Sequence, residues 1–489
     1  MKVSLCMIVR DEAGHLEECL TSVRGLADEL VVVDTGSHDQ TREIARAYGA
    51  HVHDFPWCDD FAAARNQWFL RARGEWLFWL DADDRLPMVS RAKLERLFDS
   101  LGGENVGYTS KVTCPGPDGR PMFETLHVRL FRNDPRLQWQ YPIHEQVAPS
   151  IRRTGGVLRA TDIEIVHTGY TAATVRAKTE RNLRLLDRGL ECMPLDTYLL
   201  SCRAEALIDL GRSAEALVSL NLCDLSYRGR PAPPNVPVLK AQAYAMQGEL
   251  DQALDAATAG LSYYPTDSKM LLLEAQILAA LGRYDEAESR LRAQLVLEGD
   301  SPRFGCADRM IGVQSRHCLA ELLLQTDRFV EAEREARQVC EARPSFGFAW
   351  LTLGEAIAAA GDEEGFAAVV QDLGGSNDGE AGRAVLNAAR HRRCGRPGEA
   401  LALLQEALFL YPEQTVLHKA HAAALFEVGA EAESVQKVIS HILTSDPLCL
   451  RTWAIRRALS TARRSIARPT TSSQLRGQYV WAGWRDPRG

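Results

Sequence analysis

The sequence predicts an α/β domain built on a mostly parallel sheet, followed by an all-α repeat solenoid. Three observations carry this expectation. Residues 1–170 alternate short apolar runs with helix-length amphipathic segments. From 173 to 459 the strand-like runs vanish, and Ala, Leu, Glu and Arg dominate. In that second part a turn signal returns at a nearly fixed interval. The expected domains are therefore 1–172, 173–459 and a basic tail, 460–489, read as a partly disordered terminus.

The elements follow in order. Lys2–Val9 is rich in Val, Leu and Ile, as a buried strand should be. Glu12–Val23 carries Leu16, Leu20 and Val23 at helical spacing, and Leu30–Val33 is the next strand. Asp39–Tyr48 reads as a helix stopped by Gly49. His51–Asp54 is a short strand, and Asp60 is placed to cap a helix over Phe61–Arg73. Glu75–Leu80 is a strongly apolar strand. Repeated strand–helix–strand units in so short a stretch imply right-handed crossovers and a mostly parallel sheet.

The repeat shows at the turns: Gly211, Gly248, Gly282, Asp327, Gly361, Gly395 and Gly429, at intervals of 37, 34, 45, 34, 34 and 34 residues. Five residues after the turn stands an alanine in five units: Ala216, Ala253, Ala287, Ala332 and Ala400. Pro265, Pro344 and Pro412 each fall 17 residues after a turn. Glycine permits the tight turn, alanine lets two helices approach, and proline ends the second helix. The pattern resembles the tetratricopeptide repeat, a helix–turn–helix of 34 residues. The longest interval contains GDSPRFGCADR, read as an inserted loop.

Bulk properties exclude several classes. The 489 residues are 46% apolar and 25% charged, so global disorder is excluded. No run approaches the ~18 apolar residues of a membrane span. The opening MKVSLCMIVRDE turns from a short apolar run straight into charge, without a small-residue cleavage site. Export and membrane insertion are not expected, and a cytoplasmic location is. A net charge of −8 argues against general nucleic-acid binding. The 12 cysteines form no CxxC pair, so reduced thiols are expected. The tail concentrates Arg463, Arg464, Arg468, Arg476, Arg485 and Arg488 with Tyr479, Trp481 and Trp484, which could bind an anion or a peptide.

In an open α/β sheet, ligands bind beyond the carboxyl ends of the strands. This sequence puts Arg10 and Asp11 after the first strand, Asp34 after the second, and Asp81, Asp83 and Asp84 after Glu75–Leu80. Clustered carboxylates repel unless a cation or donor groups satisfy them. A D-x-D at the end of a buried strand, Asp81-Ala82-Asp83, can hold Mg²⁺ or Mn²⁺, hard cations that also bind phosphate. Asp84 is read either as a further acid of the cluster or as a solvated turn residue. Asp34 could accept from a nucleobase or ribose, or the turn could simply cap the next helix through Ser37 or Asp39. There is no GxGxxG and no GxxxxGK[ST].

Together the segments CMIVRDEAGHLEECLTSV, LVVVDTGSHDQT, DDFAAARNQWFLRARGEWLFWLDADD and YPIHEQV resemble a family 2 glycosyltransferase of the GT-A fold, across roughly residues 1–170. With its repeats, the chain is similar to a bacterial subset of that family. The resemblance implies a nucleotide-diphosphate sugar donor, UDP-linked in the first instance, inverting transfer, and Mg²⁺ or Mn²⁺. It carries residue by residue. Asp34 matches the nucleotide-binding aspartate, and Asp81 and Asp83 the D-x-D pair, with Asp83 the direct metal ligand. Arg65 and Asn66 match an A-R-N element lining the donor site. Two positions depart: Asp11, after Arg10, stands where asparagine is frequent, and Thr35 replaces a second acid.

The family's acceptor-side E-D pair is not seen, so Glu145 in Tyr141-Pro-Ile-His-Glu-Gln-Val is the candidate base. His144 could complete a metal or phosphate shell. Trp139 could stack on a sugar or be core. His167 could be a third metal ligand or a buried structural histidine. Arg129 and Arg132 could reach a diphosphate, with a surface position the default.

The functional expectation is a metal-dependent glycosyltransferase whose acceptor is a peptide or protein held by the repeats. The repeats could equally mediate dimerisation, and they could complete the acceptor wall of a short catalytic domain. The competing class is a tetratricopeptide scaffold whose nucleotide-sugar domain is inactive.

Overall fold

Position by position, the first strand is buried on both faces because its residues serve two cores. Val3, Leu5, Met7 and Val9 pack with Leu16, Leu20, Phe78 and Phe98 on one side. Cys6 packs with Val31, Val33, Leu77, Trp68 and Trp139 on the other. That two-sided burial is what a continuous apolar run in a helix-covered sheet produces. The computed structural model describes residues 2–115, 121–169, 172–227, 230–298, 310–373 and 377–466 of the chain.

β1 (Val3–Val9) leads through α1 (Leu16–Ser22) to β2 (Glu29–Asp34), and α2 (Thr41–Ala47) leads to β3 (His51–Asp54). Two short helices, α3 (Phe61–Asn66) and α4 (Trp68–Arg71), precede β4 (Trp76–Trp79). Then come β5 (Asp84–Arg85), α5 (Met88–Ser100), β6 (Val106–Pro115), β7 (Pro121–Arg132), α6 (Ala148–Arg153), β8 (Val157–His167), α7 (Ala172–Cys192) and α8 (Thr197–Asp209). The strand order is β3-β2-β1-β4-β7-β6-β8-β5. β3, β2, β1 and β4 are parallel, as expected. The other half is mixed: β7 pairs antiparallel with β4 and β6, β6 pairs parallel with β8, and β5 pairs antiparallel with β8. The sheet is mixed but mostly parallel, as expected: six of its eight strands run one way, and β7 and β5 run against them. β7 is reversed because it returns directly beside β6, a pairing that needs no crossover helix.

From Ser213 the described residues are helices and turns: α9 (Ser213–Tyr227), α10 (Asn235–Met246), α11 (Leu250–Tyr263), α12 (Ser268–Leu281), α13 (Tyr284–Glu298), α14 (Met310–Gln325), α15 (Phe329–Ala342) and α16 (Gly347–Ala360). They continue as α17 (Glu363–Asp372), α18 (Asn377–Arg393), α19 (Pro397–Leu410), α20 (Thr415–Glu427), α21 (Ala432–Ser445) and α22 (Leu450–Ile466). All seven turn residues picked out by spacing have positive φ, from 62° at Asp327 to 85° at Gly361. The five spaced alanines are fully buried between helices, where a larger side chain would force the pairs apart. The loop at 299–309 and the tail residues 467–489 lie outside the described residues.

The chain packs as two compact units, the first mainly Met1–Leu210 and the second mainly the residues beyond Gly229. α7 and α8 therefore belong with the sheet. No helix among the described residues is long and apolar enough to cross a membrane, and every described cysteine is unbridged.

Candidate active site

The acidic turn after β4 is built around a buried ion pair. Asp84 is wholly buried, and its Oδ2 accepts from Arg129 Nη1 at 2.7 Å and from the Asp81 backbone N–H at 2.8 Å. Arg129 comes from β7 and lies flat over Trp79, 3.7 Å from the ring centroid. The default of a surface Arg129 is overturned: the residue is 1% exposed and reaches Asp84, not solvent. Arg132, from the same strand, pairs with Glu75 and the Gly102 carbonyl. Burial alone would raise the Asp84 pKa, but Arg129 and the hydrogen bond to His167 outweigh it and hold the carboxyl low.

His167, at the end of β8, places Nδ1 3.0 Å from Asp84 Oδ1 and 3.4 Å from Asp83 Oδ1. Asp83 is pushed up by burial and by the neighbouring charges of Asp81 and Asp84, against the pull of His167. Burial acts to lower the His167 pKa, and the two acids raise it further than burial lowers it. Donor atoms of Asp81, Asp84 and His167 lie within 4.8 Å of one another. Carboxylate oxygens with one imidazole suit Mg²⁺ or Mn²⁺. Asp84 is also held by Arg129 and His167, so it orients the ring and the turn, and Asp83 Oδ1 stands beside the same ring. Gly169 completes the cradle, since a Cβ there would overlap the Asp83 carboxylate.

One acid here escaped the sequence reading. Glu12 follows the end of β1, and burial together with the Asp83 and Asp81 charges raises its pKa to about 7. Its position in the R-D-E run after the first strand was the available signal. Its neighbours are ordered by the loop: Asp11 has φ 53°, donates its N–H to Ser37 Oγ and accepts from the His38 N–H. Arg10 is exposed, 3.8 Å from Asp11.

Asp34 is shielded completely. Its Oδ1 accepts from the Gly36 and Ser37 N–H groups and from Arg42, at 2.6 Å to Nη2. Its Oδ2 is buried without a partner among the described residues. Burial would raise its pKa, yet these donors hold it below the usual range. Asp34 thus fixes the turn, and one acceptor atom remains.

A second cluster centres on Arg65. Its Nε lies 2.6 Å from Glu145 Oε1 and its Nη2 3.0 Å from Asp81 Oδ1. The guanidinium is enclosed by Trp79, Trp68 and Trp139, at 4.1, 5.2 and 5.2 Å. One buried cation thus ties the candidate base to the D-x-D turn. Asn66 and Trp139 exchange two backbone-to-amide hydrogen bonds, at 2.8 and 3.1 Å, and Trp139 is core. Tyr141 and His144 have φ of 74° and 55°, a conformation that costs energy and is held by its surroundings. The holding group is α8: Tyr198 Oη donates to the His144 carbonyl at 2.9 Å, and its ring packs tilted against Tyr141, centroids 4.8 Å apart. Sequence reading placed Tyr198 among the repeats and did not foresee this contact.

Comparison with known proteins bears on the family of each part of the chain. The model of "Glycosyl transferase family 2" matches residues 4–153. Tetratricopeptide repeat models match 244–305, and 197–220 with 313–338. A TPR repeat-containing protein of Synechococcus elongatus is 35% identical over 53% of this chain and 66% of its own length. The SPbeta prophage-derived glycosyltransferase SunS of Bacillus subtilis is 24% identical over 43% of this chain and 50% of its own. The chain thus spans between half and just under two thirds of these relatives. A tetratricopeptide repeat protein from Parabacteroides merdae covers 55% of this chain and 94% of its own, at 16% identity and a TM-score of 0.38. The chain carries a glycosyl transferase family 2 domain at its N-terminus, and tetratricopeptide repeats follow it.

Proposed function

We propose that the protein is an inverting, metal-dependent glycosyltransferase that moves a sugar from a nucleotide-diphosphate donor, UDP-linked, to a peptide or protein acceptor. The observation that supports the reading is the meeting of Asp81, Asp84 and His167, whose ligand atoms lie within 4.8 Å of one another, with Asp83 3.4 Å from His167 Nδ1 and Asp84 held by Arg129. Asp83, Asp81 and His167 would hold Mg²⁺ or Mn²⁺, and that ion would offset the charge of the departing diphosphate.

The chain's own groups do the rest. Glu145 takes the proton from the acceptor as the acceptor's heteroatom bonds to the anomeric carbon and the bond to diphosphate breaks. Arg65 fixes Glu145 through Oε1 and keeps it in register with Asp81. The Gly36–Ser37 turn, held by Asp34, offers the surface for the nucleotide. The repeats supply the acceptor or a partner, and the reading places the enzyme in the cytoplasm.

The test is a transfer and hydrolysis screen with UDP-, GDP- and dTDP-sugars, with and without Mn²⁺, on the wild type and Asp83→Ala. Mn²⁺-dependent turnover of one donor, abolished in the variant, is expected. No turnover and no nucleotide binding across the panel would leave the inactive-domain scaffold as the better account.

A further inference from the structure

Within the repeat unit, the last helix touches much more than the pair before it. α22 packs on α20 and α21, as its place in the series requires. It also reaches back across the array. Arg451 Nη1 lies 2.6 Å from Glu355 Oε1 on α16, and Nε lies 3.6 Å from Glu321 on α14. Arg457 donates to the carbonyls of Ala279 and Ala280 at the end of α12, and to Tyr284 Oη at 2.6 Å. Trp453 is buried in a cluster with Leu250 and Ala280.

A guanidinium on the closing carbonyls of α12 sits where a helix end favours a cation. The contacts on α12, α14 and α16 are made by the first helix of each pair. Those helices line the inner surface of such an array, the surface these proteins use to hold partners. A terminal helix that served only as a cap would cover the last pair alone. Here it reaches along the groove from α12 to α20, leaving only a small pocket between Phe348, Lys419, Phe426 and Arg451.

We propose that α22 is an intramolecular ligand of the repeat groove, a latch. Seated, it keeps an extended polypeptide out; released, it opens the inner face to an amphipathic helix bearing a tryptophan and arginines at the spacing of Trp453 and Arg457. The latch opens as one helix without the array unfolding: on α12, α14 and α16 it is held by Arg451, Arg457 and the apolar side chains of Leu450 and Trp453, a small part of the unit's core. The inference stands apart from the transferase reading, and its test uses no sugar donor.

The experiment has two measurements on full-length protein. Hydrogen exchange on the wild type compares the amides of α22 with those of α20. A fluorescein-labelled synthetic peptide of residues 447–466 is titrated into the wild type, Trp453→Ala and Arg457→Ala. A groove whose competent fraction is small binds more weakly by that fraction, so the variants should bind the peptide at least about tenfold more tightly than the wild type. The α22 amides should exchange at least about tenfold faster than those of α20, through a sub-global opening. Equal peptide affinity in all three proteins, or no binding in any, overturns the proposal. Should the variants not fold, exchange on the wild type decides alone: equal rates in α22 and α20 make α22 a fixed part of the array.

Discussion

Arg129 and Asp84 form an ion pair 2.7 Å long with both side chains out of solvent, one from β7 and one from the turn after β4. It fixes the reversed strand β7 to the acidic turn. Removing one member strands the other. Arg129→Met should therefore cost about 3–5 kcal/mol of unfolding free energy, read by urea melts. Arg129→Met combined with Asp84→Leu should recover part of that. A loss under about 1 kcal/mol in the single variant would mean the pair is not buried in solution.

Gly169 should be irreplaceable for a different reason. Its missing Cβ is the space that the Asp83 carboxylate uses. Gly169→Ala should weaken Mn²⁺ binding at least about tenfold with little loss of stability, because the displaced group is a ligand and not core. Gly103→Ala, where a Cβ meets nothing, is the matched control. Equal Mn²⁺ affinity in the two variants would place the ion elsewhere.

Glu12 gives a pH signature. Its pKa is raised to about 7 in the folded chain. Between its unfolded value and that point the native state holds the extra proton, so this group lowers stability as pH rises, and the loss is complete above pH 7. Glu12→Gln should flatten the fall in stability from pH 5 to pH 8 in urea melts. An unchanged slope would mean that Glu12 ionises normally.

Glu29 gives the opposite sign. Burial would raise it, but the Arg73 backbone N–H, Ser4 Oγ at 2.6 Å and the Arg73 guanidinium hold it low. Its contribution is present above its unfolded value, roughly pH 4.3, and lost as pH falls through the folded one. Glu29→Gln should lower stability at pH 7 and bring the wild type and variant curves together in acid. Curves that stay parallel down to pH 2 would contradict the assignment.

Much of this was legible because it was local. The β1 run, the D-x-D after β4 and the turn residues from Gly211 to Gly429 each depend on a few neighbours in sequence, and spacing reveals them. What was not legible depends on partners far along the chain. Arg129 reads as a surface residue until β7 is paired beside β4, 45 positions from Asp84. Glu12 looks like a loop acid until the β4 turn folds against it. Tyr198 belongs by composition to the helical region, yet its hydroxyl holds the His144 carbonyl, 54 positions away. The sheet is mostly parallel as expected, but the reversal of β7 and β5 was not legible for the same reason, since their direction is set by pairing.

The central claim is that Asp83 and its neighbours grip a divalent ion against a nucleotide diphosphate. Calorimetric titration of UDP into the wild type and Asp83→Asn, each with and without Mn²⁺, tests it most directly. The wild type should bind UDP with Mn²⁺ at least about tenfold more tightly than without it, and Asp83→Asn should lose that dependence. UDP affinity that is the same in all four titrations would contradict the account.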